Sequence, residues 1–343
     1  MRTRTMPTQK VLIATELAEE QKALTRRRLS GLAEVLFLDE MAEGKLDEEA
    51  PSIHVVLRYG GYKPFPDAVF AKMSALKHVQ LLCAGTDAIR RTETIPDCVD
   101  ASGAIGANSA AVAEHAFTLM LAAAKHLRER DALMRDGVFD QRQPAECLAE
   151  STVGIVGLGS IGEEFARRAA AFDMRILGIN RRKASSVPVD FMGTLDDLAF
   201  VLSESDFLVL VLPLTEETRH VIAAKELHQM KNDGCLINIG RGGLVVQEDL
   251  FDHLRGHPRF TACLDVWWDY PSVDNEVWYF RNRPYEKPFH ELQNVLMTPH
   301  CAALAGDYRG RMLRTALDSV VAHLRSTSSV ENASASQEQR EPG

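Results

Sequence analysis

The sequence has no apolar run near the roughly 18 residues that a membrane-spanning helix requires. Its longest runs, Phe207 to Leu212 and Phe117 to Ala124, fall well short, so no membrane span is expected. It has no excess of positive charge either. With 39 Lys and Arg against 48 Asp and Glu the net charge is −9, which argues against a non-specific nucleic-acid binder, since such a protein must displace phosphate counterions. It lacks a CxxC pair as well. Cys83, Cys98, Cys147, Cys235, Cys263 and Cys301 are scattered, a pattern of neither a zinc site nor a disulfide framework, so reduced packing thiols and no metal are expected. Arg2 and Arg4 precede an apolar stretch, Val11 to Ala14, that is too short for a signal-peptide core, and a cytoplasmic protein is expected.

What is present is an ordinary globular composition. The chain has 343 residues, 45% apolar and 25% charged, a length that favours two domains. The runs Val11–Ala14, Val35–Leu38, Ile53–Leu57 and Val79–Leu82 predict buried parallel strands in a small α/β unit. Between Asn108 and Arg135, Val112, His115, Ala116, Leu119, Ala123 and Leu127 recur at three- and four-residue spacing and predict one long helix. His115 falls on its apolar face, where a hydrogen-bonded core histidine is expected. From Thr152 the alternation restarts, with strands predicted at 153–156, 176–179, 207–212, 236–239, 261–264 and 295–297, the pattern of a doubly wound dinucleotide-binding sheet. A helix from about Tyr308 to Leu324 is expected to return to the first domain. The residues from Ser326 to Gly343, rich in Ser, Glu and Gln, predict a mobile tail.

The segment Val153-Gly-Ile-Val-Gly157-Leu-Gly159-Ser160-Ile161-Gly162 is a strand, a glycine loop and a helix start. Gly157 permits the tight turn, Gly159 lets the backbone approach a pyrophosphate, and Gly162 lets the helix pack on the strand. Free N–H groups at Ser160 and Ile161 then face the phosphates. The second strand ends at Asn180, where an NAD site usually carries Asp or Glu, and runs on into Arg181-Arg182-Lys183. Guanidinium groups in place of a carboxylate predict the 2′-phosphate of NADP as the preferred guest, with NAD as the alternative.

Three more segments fall at strand carboxyl ends, where such sheets bind ligands: Leu236-Ile-Asn-Ile239-Gly240-Arg241-Gly-Gly, Cys263-Leu-Asp265-Val-Trp-Trp and Val295-Leu-Met-Thr-Pro-His300. Together with the glycine loop, Leu212-Pro213-Leu-Thr-Glu-Glu-Thr218 and Asn108-Ser-Ala-Ala-Val-Ala-Glu-His115, they closely resemble the D-isomer-specific 2-hydroxyacid dehydrogenase family, from Leu76 to about Leu313. The resemblance implies an α/β protein of two doubly wound parallel-sheet domains. A Rossmann cofactor domain (107–300) would be inserted into a flavodoxin-like substrate domain (1–106 and 301–325), with 326–343 as tail. It implies Arg241 as carboxylate clamp, a task suited to its planar fork, and His300 as general acid or base. It also places Asp265 near the nicotinamide, and Leu212, Pro213, Thr218, Ile239 and Gly240 along the cofactor. Asn108 and the turns Tyr59-Gly60-Gly61 and Ala84-Gly85 would face the substrate. A homodimer is implied too, built on the helix that begins at Asn108.

The pattern breaks at one point. Five residues after Asp265 the family places a glutamate that pairs with the histidine and raises its pKa; here that position is Tyr270. Three readings are open: Asp269 replaces the glutamate, the Tyr270 phenol bonds His300, or the chemistry has diverged. The interval up to His300 is also crowded with Trp267, Trp268, Trp278, Tyr279, Phe280, Tyr285 and Phe289, which would wall a pocket, reach a second subunit or pack on the chain's own core. The expected activity is reduction by NADPH of a small anionic 2-oxo acid, glyoxylate- or hydroxypyruvate-like, to the D-2-hydroxy acid. The alternatives are a formate- or phosphite-type dehydrogenase and a dinucleotide-sensing, corepressor-like binding protein.

Overall fold

A computed structural model describes residues 9–59, 67–85, 98–270 and 283–338. These fall into two units: the described residues up to Ala107 with those from Asp307 onward, and the described residues from Asn108 to Gly306. In the first unit the apolar runs become β1 (Gln9–Ala14), β2 (Ala33–Phe37), β3 (Val55–Arg58), β4 (His78–Leu81) and β5 (Asp100–Ser102), linked by α1 (Glu19–Leu29), α2 (Lys45–Glu49) and α3 (Asp67–Phe70). All pairings are parallel, in the order β2-β1-β3-β4-β5, which is the flavodoxin-like order. Because successive strand side chains point to opposite faces, Val11, Ile13, Val55 and Leu57 build one core layer while Leu12, Val56, Val79 and Leu81 build the other.

The second unit begins with α4 (Ser109–Ala124) and α5 (Leu127–Arg135). It continues through β6 (Thr152–Val156), α6 (Ser160–Ala171), β7 (Arg175–Ile179), β8 (Phe191–Gly193), α7 (Leu198–Glu204), β9 (Phe207–Leu210) and α8 (Ala224–Gln229). Then come β10 (Cys235–Asn238), α9 (Gln247–Gly256), β11 (Thr261–Leu264) and β12 (Val295–Met297). The sheet order is β8-β7-β6-β9-β10-β11-β12, all parallel, and it reverses direction between β6 and β9. Such a switch point opens a crevice at the strand carboxyl ends, and the motifs of the second unit that follow its strands fall at those ends. Residues of α4 and α6 cover one face, and those of α7, α8 and α9 cover the other.

Two expectations are corrected. The helix from 108 to 135 is two helices, because Lys125 and His126 close α4 and His126 takes a left-handed conformation with φ of 48°. Arg128 then donates to the carbonyls of Val295 (2.7 Å) and Gln293, which fixes the new direction of α5. At the other end α10 (Tyr308–Glu338) packs on the first unit, as expected, through Met312, Leu313, Ala316, Leu317, Val320 and Leu324. Its backbone stays helical well beyond Ser326, where a tail was expected. Extending an existing helix avoids the cost of a new nucleus, and this Ser, Ala, Glu and Gln stretch contains no Pro or Gly to stop it.

Candidate active site

The three glycines of the loop meet different steric surroundings. Gly157 has φ of 109°, a conformation open to glycine, and a Cβ on it would sit 2.8 Å from the Val211 carbonyl carbon. A Cβ on Gly162 would sit 2.4 Å from the Gly157 oxygen, so α6 lies too close to the loop for any side chain there. At Gly159 nothing lies within 4 Å of a built Cβ, and that open space stands directly before the N-terminus of α6. Ser160 is exposed there, its hydroxyl accepting a 3.0 Å hydrogen bond from Ser109. The residues present therefore fit a dinucleotide pyrophosphate.

Asn180 donates from its amide to the carbonyls of Leu158 (2.9 Å) and Ala184 (3.0 Å), tying the glycine loop to the basic loop. Glu163 in the first turn of α6 adds a second tie, accepting from the Ser186 N–H at 2.8 Å and from its hydroxyl at 2.5 Å. Between these ties Arg181 and Arg182 are exposed, and among the described residues neither makes an ion pair. Further along, Gly240 approaches the Leu212 carbonyl so closely that a Cβ would meet it at 2.9 Å. Pro213 is exposed, whereas Ile239 is buried in the core. Thr218 is buried in the loop after β9. Its hydroxyl donates to the Pro213 carbonyl (2.7 Å) and accepts from the Thr215 N–H (2.8 Å), which shapes the loop after β9.

Asp265 is the centre of the remaining chemistry. It is 1% exposed, and its carboxylate accepts from the Thr298 hydroxyl (2.6 Å) and from the N–H groups of Cys301 (2.9 Å) and Ala302 (3.1 Å). His115 Nε2 stands 3.4 Å from the same carboxylate and 3.1 Å from the Thr298 hydroxyl. Burial alone would push the Asp265 carboxyl up, but these hydrogen bonds outweigh it and hold the group below the usual carboxylate range. The bonds flank His300, whose φ of 54° is left-handed. Such a backbone costs about 1 kcal/mol or more in a non-glycine residue and persists where its surroundings enforce it. Asp265 does the enforcing. His115, Asp265 and Cys301 also bring their ligand-type atoms within 4.8 Å of one another, a grouping that the carboxylate's hydrogen bonds account for.

Trp267 joins three segments that the sequence keeps apart. Its carbonyl lies where a Cβ on Gly242 would come within 2.1 Å, its indole N–H donates to the Thr298 carbonyl (3.0 Å), and its backbone N–H donates to the Tyr270 hydroxyl (3.1 Å). Arg241 is thereby held beside the Asp265 strand end, with its own Nη1 on the Gly240 carbonyl (2.8 Å). Its charge reaches His300. That histidine is exposed by area, yet enough protein surrounds the ring for desolvation to lower its pKa; the Asp265 carboxylate raises it in part and Arg241 lowers it again, leaving it below the ordinary value. The Tyr270 ring packs at 5.4 Å from His300, centroid to centroid, while its oxygen accepts from Trp267. Asp269 is exposed and makes no ion pair with His300.

Of the other expected residues, Asn108 immediately precedes α4. Tyr59 follows β3, while Ala84 and Gly85 follow β4, where the Cys83 thiol donates to the Gly85 carbonyl at 3.2 Å. Gly60 and Gly61 lie outside the described residues, as do Trp278, Tyr279 and Phe280. Trp267, Trp268, Tyr285 and Phe289 pack on one another and on the chain's own core.

Residues 117–302 match the family described as D-isomer specific 2-hydroxyacid dehydrogenase, NAD binding domain. The chain is 32% identical over 267 residues to a glyoxylate reductase of Korarchaeum cryptofilum, covering 76% of this chain and 77% of that one. It is 30% identical over 299 residues to a D-3-phosphoglycerate dehydrogenase of Methanocaldococcus jannaschii, covering 86% of this chain but spanning 53% of that relative's length. A D-isomer specific 2-hydroxyacid dehydrogenase from Xanthobacter autotrophicus Py2, solved in complex with NADPH and MES, superposes with a TM-score of 0.71 at 26% identity over 92% of this chain and 94% of that one.

Proposed function

Because the chain belongs to the D-isomer specific 2-hydroxyacid dehydrogenase family, we propose that it reduces a small 2-oxo acid, glyoxylate- or hydroxypyruvate-like, to the D-2-hydroxy acid at the expense of NADPH. The observation that carries this reading is the placement of Arg241 and His300 beyond the ends of β10 and β12, on either side of the β11 end where Asp265 clamps the histidine loop. Gly157 to Gly162, Leu212, Pro213, Ile239 and Gly240 hold the dinucleotide. When bound, its reduced nicotinamide supplies the hydride for the carbonyl carbon. Arg241 takes the substrate carboxylate in a two-pronged hydrogen bond and polarises the adjacent carbonyl. His300 as imidazolium gives its proton to the carbonyl oxygen as charge develops there, and recovers one from water after each turnover.

Tyr270, rather than Asp269, orients His300 in this reading, supported by the ring contact and by the exposure of Asp269. Desolvation and the Arg241 charge leave the histidine pKa below its ordinary value, with no glutamate at position 270 to offset them. Reduction needs the protonated ring, so kcat/KM for reduction is expected to fall as pH rises through a value below 6.5, and oxidation to rise through the same value. Tyr270→Glu should move that limb upward by about one unit or more, since a carboxylate within reach favours the imidazolium. An unmoved limb in this variant would detach Tyr270 from the histidine.

The test of the function is the initial rate of NADPH and, separately, NADH oxidation with glyoxylate, hydroxypyruvate and larger 2-oxo acids. NADPH should be preferred, and the paired change Arg181→Ala and Arg182→Ala should raise its KM tenfold or more while leaving that of NADH nearly unchanged. NADPH binding with no 2-oxo acid reduced would favour the dinucleotide-sensing alternative. The same preparation tests the homodimer, which is supported by α5 burying none of its residues while Leu127, Met134 and the following Phe139 (74% exposed) face outward. A single-chain mass by light scattering at micromolar concentration would remove that assignment.

A further inference from the structure

Outside this site, three histidines meet where α8 faces α9. His228 lies in α8, His253 in α9, and His257 directly follows α9. Their ring centroids are 4.0 Å apart for His253 and His257, 5.5 Å for His228 and His253, and 6.2 Å for His228 and His257. Imidazoles that share one tetrahedral ion through nitrogens roughly 2.1 Å from it have ring centres roughly 5 Å apart, so the 4.0 Å pair has to spread and the 6.2 Å pair to close before all three nitrogens, which do not lie within 4.8 Å of one another here, meet one ion.

The hydrogen bonds match the spacing. His228 Nδ1 lies 2.5 Å from the Ala224 carbonyl and His257 Nδ1 lies 2.9 Å from the His253 carbonyl. A carbonyl only accepts, so each Nδ1 carries the proton and each Nε2 presents a lone pair, the arrangement that orients metal-binding histidines. His253 is 7% exposed, and both of its ring nitrogens are buried with no hydrogen-bond partner. Its edge-on contact with Phe260 at 4.6 Å explains the ring's packing but supplies nothing to either nitrogen. A buried orphan of this kind calls for an ion or a water.

We propose that His228, His253 and His257 form a binding site for a divalent first-row transition-metal ion, which pins α8 to α9 and keeps its fourth position for water. All three ligands are neutral imidazoles, a set that suits zinc, nickel or copper and not magnesium or calcium. Binding would fan apart the stacked His253 and His257 rings so that their edges meet the ion.

The experiment uses the full chain without an affinity tag, stripped by chelator and titrated calorimetrically with zinc chloride. One ion per chain is expected at micromolar Kd, weakened 100-fold or more by His228→Ala and by His257→Ala, both of which leave the buried His253 in the chain. Cys301→Ala should leave that ion in place, separating the site from the group around Asp265. Zinc should also raise the unfolding midpoint of the native chain and not of the His228→Ala chain, with circular dichroism confirming that both are folded. No binding at tens of micromolar zinc, or an affinity unchanged in both histidine variants, would overturn the proposal.

Discussion

His300→Asn is expected to slow 2-oxo acid reduction by about 10²- to 10⁴-fold at saturating substrate, the usual contribution of a positioned general acid. Asparagine is the informative replacement. It tolerates the left-handed backbone that His300 adopts, so the loop keeps its shape while the proton donor is lost. NADPH affinity should stay within a few-fold, because the residues proposed to hold the dinucleotide come from the glycine loop, the basic loop after β7 and the ends of β9 and β10. Arg241→Lys is expected to give a different signature. It keeps the charge and loses the planar fork, so KM for the 2-oxo acid should rise by tenfold or more, together with a fall in kcat. Stopped-flow traces that kept their full rate in His300→Asn would remove the histidine from the chemistry.

The parts of this arrangement that were legible in the sequence are those governed by local rules. Continuous apolar runs placed ten strands within a few residues of their observed bounds and left out the three-residue strands β5 and β8, which carry no such run, while the three glycines of the cofactor loop could be assigned separately because each answers to a different steric demand. The break at His126 was not legible. Nothing in the composition of 108–135 marks a left-handed residue, and the new direction of α5 is set by Arg128 reaching carbonyls more than 160 positions away. The role of Trp267 was hidden for the same reason, since it depends on contacts with Gly242 and Thr298 that only the sheet brings together. His115 was half legible: helical spacing put it on the inner face, but its partners, Thr298 and Asp265, come from the other end of the domain.

Asp265 shows most clearly what the motif conceals, and Asp265→Asn is the second change with a large expected effect. The resemblance to the family implies a place for this residue beside the nicotinamide, and its oxygens accept from Thr298, Cys301 and Ala302. Asparagine keeps the size but turns one acceptor into a donor, which then faces the Thr298 hydroxyl or the N–H groups of Cys301 and Ala302 that the carboxylate accepted from. With the group 1% exposed, the lost charged hydrogen bonds should cost about 2–4 kcal/mol of stability. At the same time the loop holding His300 would be freed from its left-handed conformation, and the carboxylate that partly raises the histidine pKa would be gone. Turnover should therefore fall tenfold or more, and the reductive pH limb should shift to still lower values, opposite in sign to the shift expected of Tyr270→Glu. A native carboxylate with a depressed pKa stabilises the fold above its unfolded value, near 3.9, and loses that contribution as pH falls through the lower folded one. The native chain should accordingly lose more stability than Asp265→Asn on acidification through that window. If the variant instead weakens NADPH binding alone, with turnover and the pH limb intact, Asp265 acts on the cofactor and the clamp on His300 is dispensable.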